Sequence, residues 1–345
     1  VVALDQATGR MLWQSKPYDE GPKGSTNAST LYFDGLVFVG YSESGYEIGG
    51  SDSPDKFRGG WAIIDAATGK ILVARDVIPN EPKNKGMGGG GIWATGAVDP
   101  KTKFVFVGTG NPYGTKEHKY TNAILKIDLD RSRPTFGEIV DYTHGDIDQY
   151  DAALGPLGET PLCENSPLPA TLDHPECGQI DLDVAAAPNL FTDSEGRQMI
   201  GSLQKSGNYH AVYTDTMELA WSAAVGAPCA LCNADATAYD GEKIYAVGAP
   251  GGVLVAINKN DGSIAWRSPV ADGTHYEAIS VANGVVYTID TKGNLDTFDA
   301  ETGAPDFSRP MEMDSGSACS SLSGGVAIAQ SMVFAPCGGI LIAYS

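Results

Sequence analysis

Hydrophobic and polar residues alternate along this chain in short runs, and one such phrase keeps returning. Residues Ala3–Trp13 read A-L-D-Q-A-T-G-R-M-L-W, and A-I-I-D-A-A-T-G-K-I-L begins at Ala62. Further copies cover Val255–Trp266 and begin at Leu295. Each copy joins an alternating run, a turn rich in Asp, Thr and Gly, and a second run that often ends in Trp. This pattern predicts a strand–turn–strand unit that is repeated along the chain.

The runs between turns group into cycles of four predicted strands. The first whole cycle comprises Ser29–Phe33, Leu36–Tyr41, Trp61–Asp65 and Lys70–Arg75. The second comprises Ile92–Val98, Phe104–Gly108, Ala123–Asp128 and Thr135–Tyr142, and later cycles cover 183–226, 233–271 and 276–311. Four-stranded repeats that pack radially protect their strand edges and form a β-propeller. The sequence therefore predicts an all-β fold with a single domain over residues 1–345.

Partial cycles at both ends bear on the number of blades. The first residues supply the last two strands of a blade, and the last residues supply the first three. Because these partial cycles overlap in their third strand, we expect a preceding segment, a truncated first blade and a ring of eight blades, with seven as the alternative. Insertions at 42–60 and 145–181 are expected to mark the functional face, because loops carry function on rigid scaffolds.

The net charge and the cysteine content indicate where the protein is located and which kinds of partner it can bind. The formal net charge is −20, which disfavours nucleic acid and anionic membranes and suits a basic protein partner or a metal ion. No apolar run approaches the ~18 residues that a membrane-spanning helix needs. The six cysteines form local pairs at 163/177, 229/232 and 319/337. Such pairing predicts disulfides and a periplasmic or extracellular location.

The repeat resembles the tryptophan-docking motif of the quinoprotein alcohol dehydrogenases, eight-bladed propellers that bind pyrroloquinoline quinone. Two further segments resemble this family. In Gly88–Pro100 the glycine run precedes Trp93, which the resemblance assigns to the floor under the planar quinone ring. In Gly108-Thr-Gly-Asn111-Pro the resemblance makes the Asn111 side chain a calcium ligand.

The predicted metal site and catalytic base come from the two insertions. The segment Ser44-Gly-Tyr-Glu47-Ile-Gly is similar to the family segment that supplies a second calcium ligand, here Glu47. The segment from Tyr142 to Asp151 is similar to the one that ends in the catalytic base, which borders the metal. Asp151 is then both base and calcium ligand. An offset of three residues gives the role to Asp148 instead, and a purely structural calcium turn is the other alternative.

Further residues complete the expected cofactor pocket. Gln204-Lys205-Ser-Gly resembles the family segment whose cation contacts the quinone carbonyl oxygens, which assigns that role to Lys205. The resemblance also assigns Ser44, Asn27 and Tyr276 to the pocket. It implies two cofactors, pyrroloquinoline quinone and Ca²⁺ or a lanthanide. In that chemistry the metal polarises the quinone carbonyl and a carboxylate takes the alcohol proton.

Within the family, the segments around Cys163–Cys177, Ile180–Asn189 and Ser317–Cys319 look most like the polyvinyl-alcohol dehydrogenase branch. The expected activity is oxidation of primary, secondary or polymeric alcohols, with electrons passed to an external acceptor such as a basic cytochrome c. Ile147 and Tyr150 stand where the family has His and Trp. They favour the alternative, a cofactor-free propeller that acts as a secreted binding or assembly scaffold. A propeller hydrolase is a second enzymatic alternative, but no paired acids or Ser–His motif supports it.

Overall fold

The repeated phrases fold as antiparallel hairpins that are grouped in four-stranded sheets. A computed structural model describes residues 1–16, 24–25, 28–43, 57–113, 118–146, 182–228, 233–249, 251–271, 278–290, 292–319 and 324–345. The chain divides into two compact units, Val1–Val184 and Ala185–Ser345. Among the described residues no helix has the length and apolar character needed to cross a membrane.

The first unit consists of meandering sheets in which each strand pairs with the next. Its strands are β1 (Val2–Leu4), β2 (Met11–Gln14), β3 (Gly24–Ser25), β4 (Leu31–Phe33), β5 (Leu36–Glu43), β6 (Gly60–Asp65), β7 (Ile71–Asp76), β8 (Gly88–Gly89), β9 (Ala97–Asp99), β10 (Phe104–Gly108), β11 (Pro112–Tyr113), β12 (Ala123–Asp128) and β13 (Ile139–His144), with a 3-10 turn at Pro82–Asn84. Strands β4 to β7 form one sheet, and β3 pairs with the end of β5. Strands β9, β10, β12 and β13 form another, while β8 pairs with β11 and β1 with β2.

The second unit continues the same arrangement. Its strands are β14 (Asn189–Thr192), β15 (Gln198–Leu203), β16 (Asn208–Tyr213), β17 (Leu219–Ala224), β18 (Ala238–Tyr239), β19 (Lys243–Gly248), β20 (Val253–Asn258), β21 (Ile264–Pro269), β22 (Ser280–Ala282), β23 (Val285–Ile289), β24 (Asn294–Asp299), β25 (Pro305–Pro310), β26 (Ala327–Ala329), β27 (Met332–Cys337) and β28 (Ile340–Tyr344). A short helix, α1 (Glu312–Ser315), follows β25. The sheets are β14–β17, β18–β21, β22–β25 and the three-stranded β26–β28.

The predicted four-strand cycles are confirmed, with two corrections in the second cycle. Its first strand is Ala97–Asp99 instead of Ile92–Val98, because the chain before it is engaged elsewhere: the Ile92 N–H donates to the Tyr41 carbonyl (3.1 Å). Its last strand is Ile139–His144 instead of Thr135–Tyr142. The cause is Gly137, whose φ of 77° continues the turn that leaves β12.

A common turn explains the recurring Asp, Thr and Gly. In the first copy the Thr8 N–H and hydroxyl both donate to Asp5 Oδ1, at 2.9 and 2.6 Å. The Gly9 N–H donates to the Asp5 carbonyl (2.8 Å), and Gly9 has a φ of 70°. The same bonds recur at Asp65 and at Asp299. Aspartate closes such turns through its side chain, and glycine accepts the left-handed backbone.

The tryptophan at the end of a repeat docks on the turn glycine of the next sheet. A Cβ added to Gly262 would lie 2.5 Å from the Trp221 ring, and one added to Gly303 would lie 2.4 Å from the Trp266 ring. The Trp221 indole N–H also donates to the Lys259 carbonyl (3.1 Å). The equivalent bonds join Trp13 to Ala66 and Trp266 to Ala300. Each of these tryptophans therefore stacks its ring on a glycine and donates a hydrogen bond to a carbonyl of the same turn.

The docking position accepts an aliphatic side chain as well. Val73 stands where the other repeats have Trp, and a Cβ added to Gly137 would lie 2.7 Å from its methyl groups.

The predicted pair Cys319–Cys337 is a disulfide, which confirms that part of the cysteine assignment. The pairs 163/177 and 229/232 lie outside the described residues.

The docking contact predicts a difference between two glycine substitutions in the second unit. Gly262→Ala and Gly196→Ala both force alanine into a left-handed backbone, with φ of 73° and 83°, at a cost of about 1–2 kcal/mol. Only the Gly262 methyl group meets an aromatic ring, whereas nothing lies within 4 Å of the Gly196 position. We expect urea unfolding to show a further loss of about 1–3 kcal/mol for Gly262→Ala. Equal losses in the two variants would contradict the docking role.

Candidate active site

A layer of glycine backbone lies beneath the segment that carries the predicted calcium ligand. The Gly90 N–H donates to the Asn111 carbonyl (3.0 Å), and the Gly110 N–H donates to the Gly91 carbonyl (2.8 Å). A Cβ added to Gly59 would lie 2.2 Å from the Gly90 carbonyl oxygen. Because side chains are excluded here, three chain segments approach one another backbone to backbone. The glycine run is thus a packing requirement of the site.

Asp183 is a buried carboxylate that this layer holds against Asn111. The Asn111 backbone N–H donates to Asp183 Oδ1 at 2.5 Å. Asn111 is 1% exposed and Asp183 is 3% exposed. A Cβ added to Gly110 would lie 3.1 Å from the same carboxylate oxygen. The Asn111 backbone amide and the Asp183 carboxylate therefore lie side by side, and the lack of a side chain at Gly110 permits this close approach.

The backbone on both sides of this pair is fixed by further bonds. The Val184 N–H donates to the Thr109 carbonyl (3.1 Å), and the Thr109 hydroxyl donates to the Tyr120 carbonyl (2.7 Å). The Asn122 N–H donates to the Gly110 carbonyl (3.0 Å). Thr109 directly follows β10 and Asn122 directly precedes β12, so these bonds tie the segments of Asn111 and Asp183 to the ends of two strands.

Sequence reasoning missed Asp183, although a signal for it was present. The search for a catalytic base followed the Asp-rich stretch that ends at Asp151. Asp183 lies 72 residues from Asn111 in sequence, beyond the second insertion. Its surroundings, D-L-D-V-A-A-A-P from Asp181, place acidic residues directly before a buried apolar run. An acidic residue directly before a buried run, next to an insertion, is a signal for a candidate site residue.

Trp93 lies next to the glycine layer. It follows Gly91 and Ile92, and its side chain is half-buried. A Cβ added to Gly91 would lie 2.8 Å from Ser42 Cβ, so the chain before Trp93 packs directly on β5. The predicted stacking of Trp93 on a quinone stays a prediction.

Lys205 occupies the tip of the β15–β16 hairpin in the second unit. Its side chain is 6% exposed, which is unusual for a lysine in a turn. The Gln204 N–H donates to the Asn208 carbonyl (3.0 Å), which closes the hairpin. The Asn233 side-chain amide donates to the Lys205 carbonyl (3.3 Å). The turn is held on both sides, and the role of Lys205 at a cofactor stays a prediction.

Aromatic and histidine rings pack edge to face beside the Asn111 segment. Ring centroids are 5.1 Å apart for His118 and Tyr120, 5.2 Å for Tyr120 and Tyr142, and 5.5 Å for Tyr142 and His144. Burial lowers the pKa of His118 to about 4, with help from the nearby cations, Lys119 first. Burial also lowers the pKa of His144. Both rings are therefore neutral near pH 7.

Six of the predicted site residues lie outside the described part of the chain: Asn27, Ser44, Glu47, Asp148, Asp151 and Tyr276. Their roles stay predictions. Within the described residues, no three His, Cys, Asp or Glu side chains come close enough together to hold a metal ion. Asn111 and Asp183 adjoin each other through the Asn111 backbone N–H, and the roles of Asn111 and Glu47 as metal ligands stay predictions.

Comparison with known proteins shows what this chain is similar to. A polyvinylalcohol dehydrogenase from Sphingopyxis sp. (strain 113P3) is 28% identical over 341 residues, which cover 88% of this chain and 49% of that protein. The chain thus spans about half the length of this curated relative. A second polyvinylalcohol dehydrogenase, from Pseudomonas sp, is 27% identical with the same coverage. The resemblance to the quinoprotein alcohol dehydrogenases is confirmed.

Two solved structures and a family description bear on the fold. The structure of the quinohemoprotein alcohol dehydrogenase ADHIIG from Pseudomonas putida HK5 superposes with a TM-score of 0.69 at 14% identity. The match covers 96% of this chain and 58% of that protein. The structure of BamB from Moraxella catarrhalis superposes with a TM-score of 0.60 at 13% identity. That match covers 99% of this chain and 77% of BamB. The family description "Outer membrane protein assembly factor BamB" matches residues 205–345. The predicted quinoprotein-type β-propeller fold is confirmed, and its blade number stays a prediction.

The lowered pKa of His118 predicts a pH dependence of stability. Between about pH 6.5 and pH 4 the unfolded chain takes up a proton at this ring and the folded chain does not. The free energy of unfolding should therefore fall as the pH is lowered through this window. In His118→Gln, which cannot titrate, that part of the loss should vanish. Urea unfolding of both proteins at pH 7, 6, 5 and 4 measures the difference, and parallel curves would contradict the assignment.

Proposed function

We propose that this chain is the cofactor-binding propeller of a quinoprotein dehydrogenase that oxidises alcohols. The observation that carries the proposal is the buried Asp183 carboxylate beside Asn111 in the G-T-G-N-P segment. The likeness to polyvinylalcohol dehydrogenases supports the same class of substrate, a hydroxylated chain or a small alcohol. A periplasmic or extracellular location fits the Cys319–Cys337 disulfide.

The donor set fits a hard cation. Carboxylate and carboxamide oxygens are the ligands that Ca²⁺ prefers, and a lanthanide is a hard cation of the same kind. We assign this role to Asn111 and Asp183, with Glu47 as a further ligand. The glycines around them keep the pocket free of side chains, since a methyl group on Gly110 would crowd the carboxylate at 3.1 Å.

Pyrroloquinoline quinone, when bound, supplies the two-electron acceptor for the hydride of the alcohol carbon. Trp93 offers a flat, half-buried ring for the face of such a cofactor. Lys205 contributes a buried positive charge toward its carbonyl oxygens. These two assignments come from the family resemblance, and their burial is compatible with them.

Asp183 is the general base in this proposal. We assign the proton of the substrate hydroxyl to this carboxylate, whose Oδ1 also accepts the Asn111 N–H. With the cofactor bound, Asp183 would take the hydroxyl proton of the alcohol and the quinone would supply the acceptor for the hydride, so that the product would be a carbonyl compound. An external acceptor would then be needed for the two electrons. The net charge of −20 favours a basic acceptor such as a cytochrome c, because opposite charges accelerate association.

The test combines cofactor uptake with turnover. The purified chain is titrated with pyrroloquinoline quinone with and without Ca²⁺, and dye reduction is followed with small alcohols and polyvinyl alcohol. We expect metal-dependent uptake that weakens in Asn111→Ala. Turnover should fall by about 100-fold or more in Asp183→Asn, because this variant keeps the shape of the base and loses its proton affinity. Asp141→Asn, a change on β13 away from this pair, should behave as the unmodified protein does.

The same assay tests which of three carboxylates is the general base. Asp148→Asn and Asp151→Asn are measured beside Asp183→Asn. If one of the first two abolishes turnover while Asp183→Asn keeps it, the base lies in the insertion and the assignment to Asp183 is wrong. Absence of uptake by the unmodified protein under every metal condition would overturn the dehydrogenase proposal as a whole.

A cofactor-free scaffold is the second candidate. It is favoured by the match of residues 205–345 to the BamB family description and by the likeness to BamB from Moraxella catarrhalis. This candidate predicts no quinone uptake and stable binding of a protein partner. The titration therefore decides between the two classes before any substrate is known.

A further inference from the structure

The hairpin tip that carries Lys205 is braced by a buried polar network. His210 Nε2 lies 3.0 Å from Gln204 Oε1, and His210 Nδ1 lies 2.8 Å from the Ser222 hydroxyl. Gln204 is 0% exposed and His210 is 7% exposed. Gln204 directly follows β15, His210 lies on β16 and Ser222 lies on β17, so the network ties the hairpin turn to the outer strand of its own sheet.

The contacts fix the tautomer of the imidazole ring. Gln204 Oε1 receives the Ser206 hydroxyl at 3.4 Å as well as His210 Nε2, which marks it as an oxygen that accepts from two donors. His210 Nε2 therefore carries the proton, and Nδ1 accepts the hydroxyl proton of Ser222. With both nitrogens engaged, the ring has one orientation and holds the Gln204 side chain in place.

The backbone of the turn around Lys205 is also fixed, by contacts that do not involve His210. The Gly207 N–H donates to the Gln204 carbonyl (2.9 Å), and a Cβ added to Gly207 would lie 2.2 Å from the Gly226 carbonyl. Asn233 donates to the carbonyls of Lys205 (3.3 Å) and Ala227 (2.8 Å). The backbone of Lys205 is thus held by Asn233, while the residue before it is held by His210.

We propose that His210 is a positioning residue that sets the direction of the Lys205 side chain through Gln204. The inference rests on the proposed role of Lys205 at the cofactor. A cation that stabilises charge at a ligand acts through its position, and small displacements weaken the effect strongly. Side chains behind a binding residue supply that precision through their hydrogen bonds.

Two conservative variants separate the two nitrogens of the ring. His210→Gln extends an amide to about the position of Nε2 and can keep the bond to Gln204 Oε1. His210→Asn has an amide near the position of Nδ1, so it can keep the Ser222 contact and loses Gln204. Ser222→Ala removes the outer contact alone and serves as the stability control.

The first readout uses the chain without cofactor. The labelling rate of the Lys205 amine by an amine-reactive reagent is measured by peptide mass spectrometry, beside urea stability. Loss of one buried hydrogen bond is worth about 1 kcal/mol, so labelling should rise about fivefold in His210→Asn. It should change less than about twofold in His210→Gln and Ser222→Ala. A rise that follows stability in all three variants, or no rise in His210→Asn, would overturn the positioning role.

A second readout separates this inference from the function on which it rests. In protein loaded with pyrroloquinoline quinone, His210→Asn should weaken quinone binding by about fivefold, and His210→Gln should restore it. If the unmodified protein takes up no quinone, the proposed function fails while the labelling result still decides whether His210 positions Lys205. If quinone binds equally well to all variants, Lys205 is not positioned by His210 for this ligand.

Discussion

An indole ring stacked on a glycine of the next sheet is the contact on which the repeated architecture depends. Trp221 and Trp266 each meet a left-handed glycine at a distance that no side chain would allow, and each indole N–H takes a carbonyl of the same turn. The contact joins a flat ring, a turn without a Cβ and a carbonyl oxygen within reach of the indole N–H, and at Val73 an aliphatic side chain replaces the ring. This explains why Asp, Gly and Trp recur together, since Asp and Gly form the turn on which the Trp ring of the preceding repeat docks.

The site uses the same physical device in a different place. Side-chain-free backbone at Gly59, Gly90, Gly91 and Gly110 lets three segments stack, and the stacking brings Asn111 to Asp183. At Lys205 glycine packing is combined with side-chain hydrogen bonds. Gly207 lies against the Gly226 carbonyl, while Gln204 is held by His210, which also contacts Ser222.

The sequence predicts what is local and repeated, and misses what is distant and unique. The strand cycles follow from alternation and turn residues, and the Cys319–Cys337 bridge follows from spacing. The strand predicted over Ile92–Val98 is wrong in its first half, because the chain at Gly91 and Ile92 packs on β5, a contact that the local pattern does not record. Asp183 is missed because its partner lies 72 residues away, and no local pattern records such a contact. Asn111 is found by motif, but its carboxylate neighbour needs the fold.

Burial of charge gives a physical reason to prefer the enzyme over the scaffold. Transferring a carboxylate or an ammonium group out of water is unfavourable by several kcal/mol unless other groups compensate. Asp183 at 3% exposure and Lys205 at 6% are both removed from water, so each needs partners that compensate for this cost. For Asp183 one such partner is the Asn111 N–H. Apolar side chains at these two positions would need no such partners. The proposed roles, a base for Asp183 and a cation for Lys205, therefore give each position a reason to carry a charged residue that packing alone does not give.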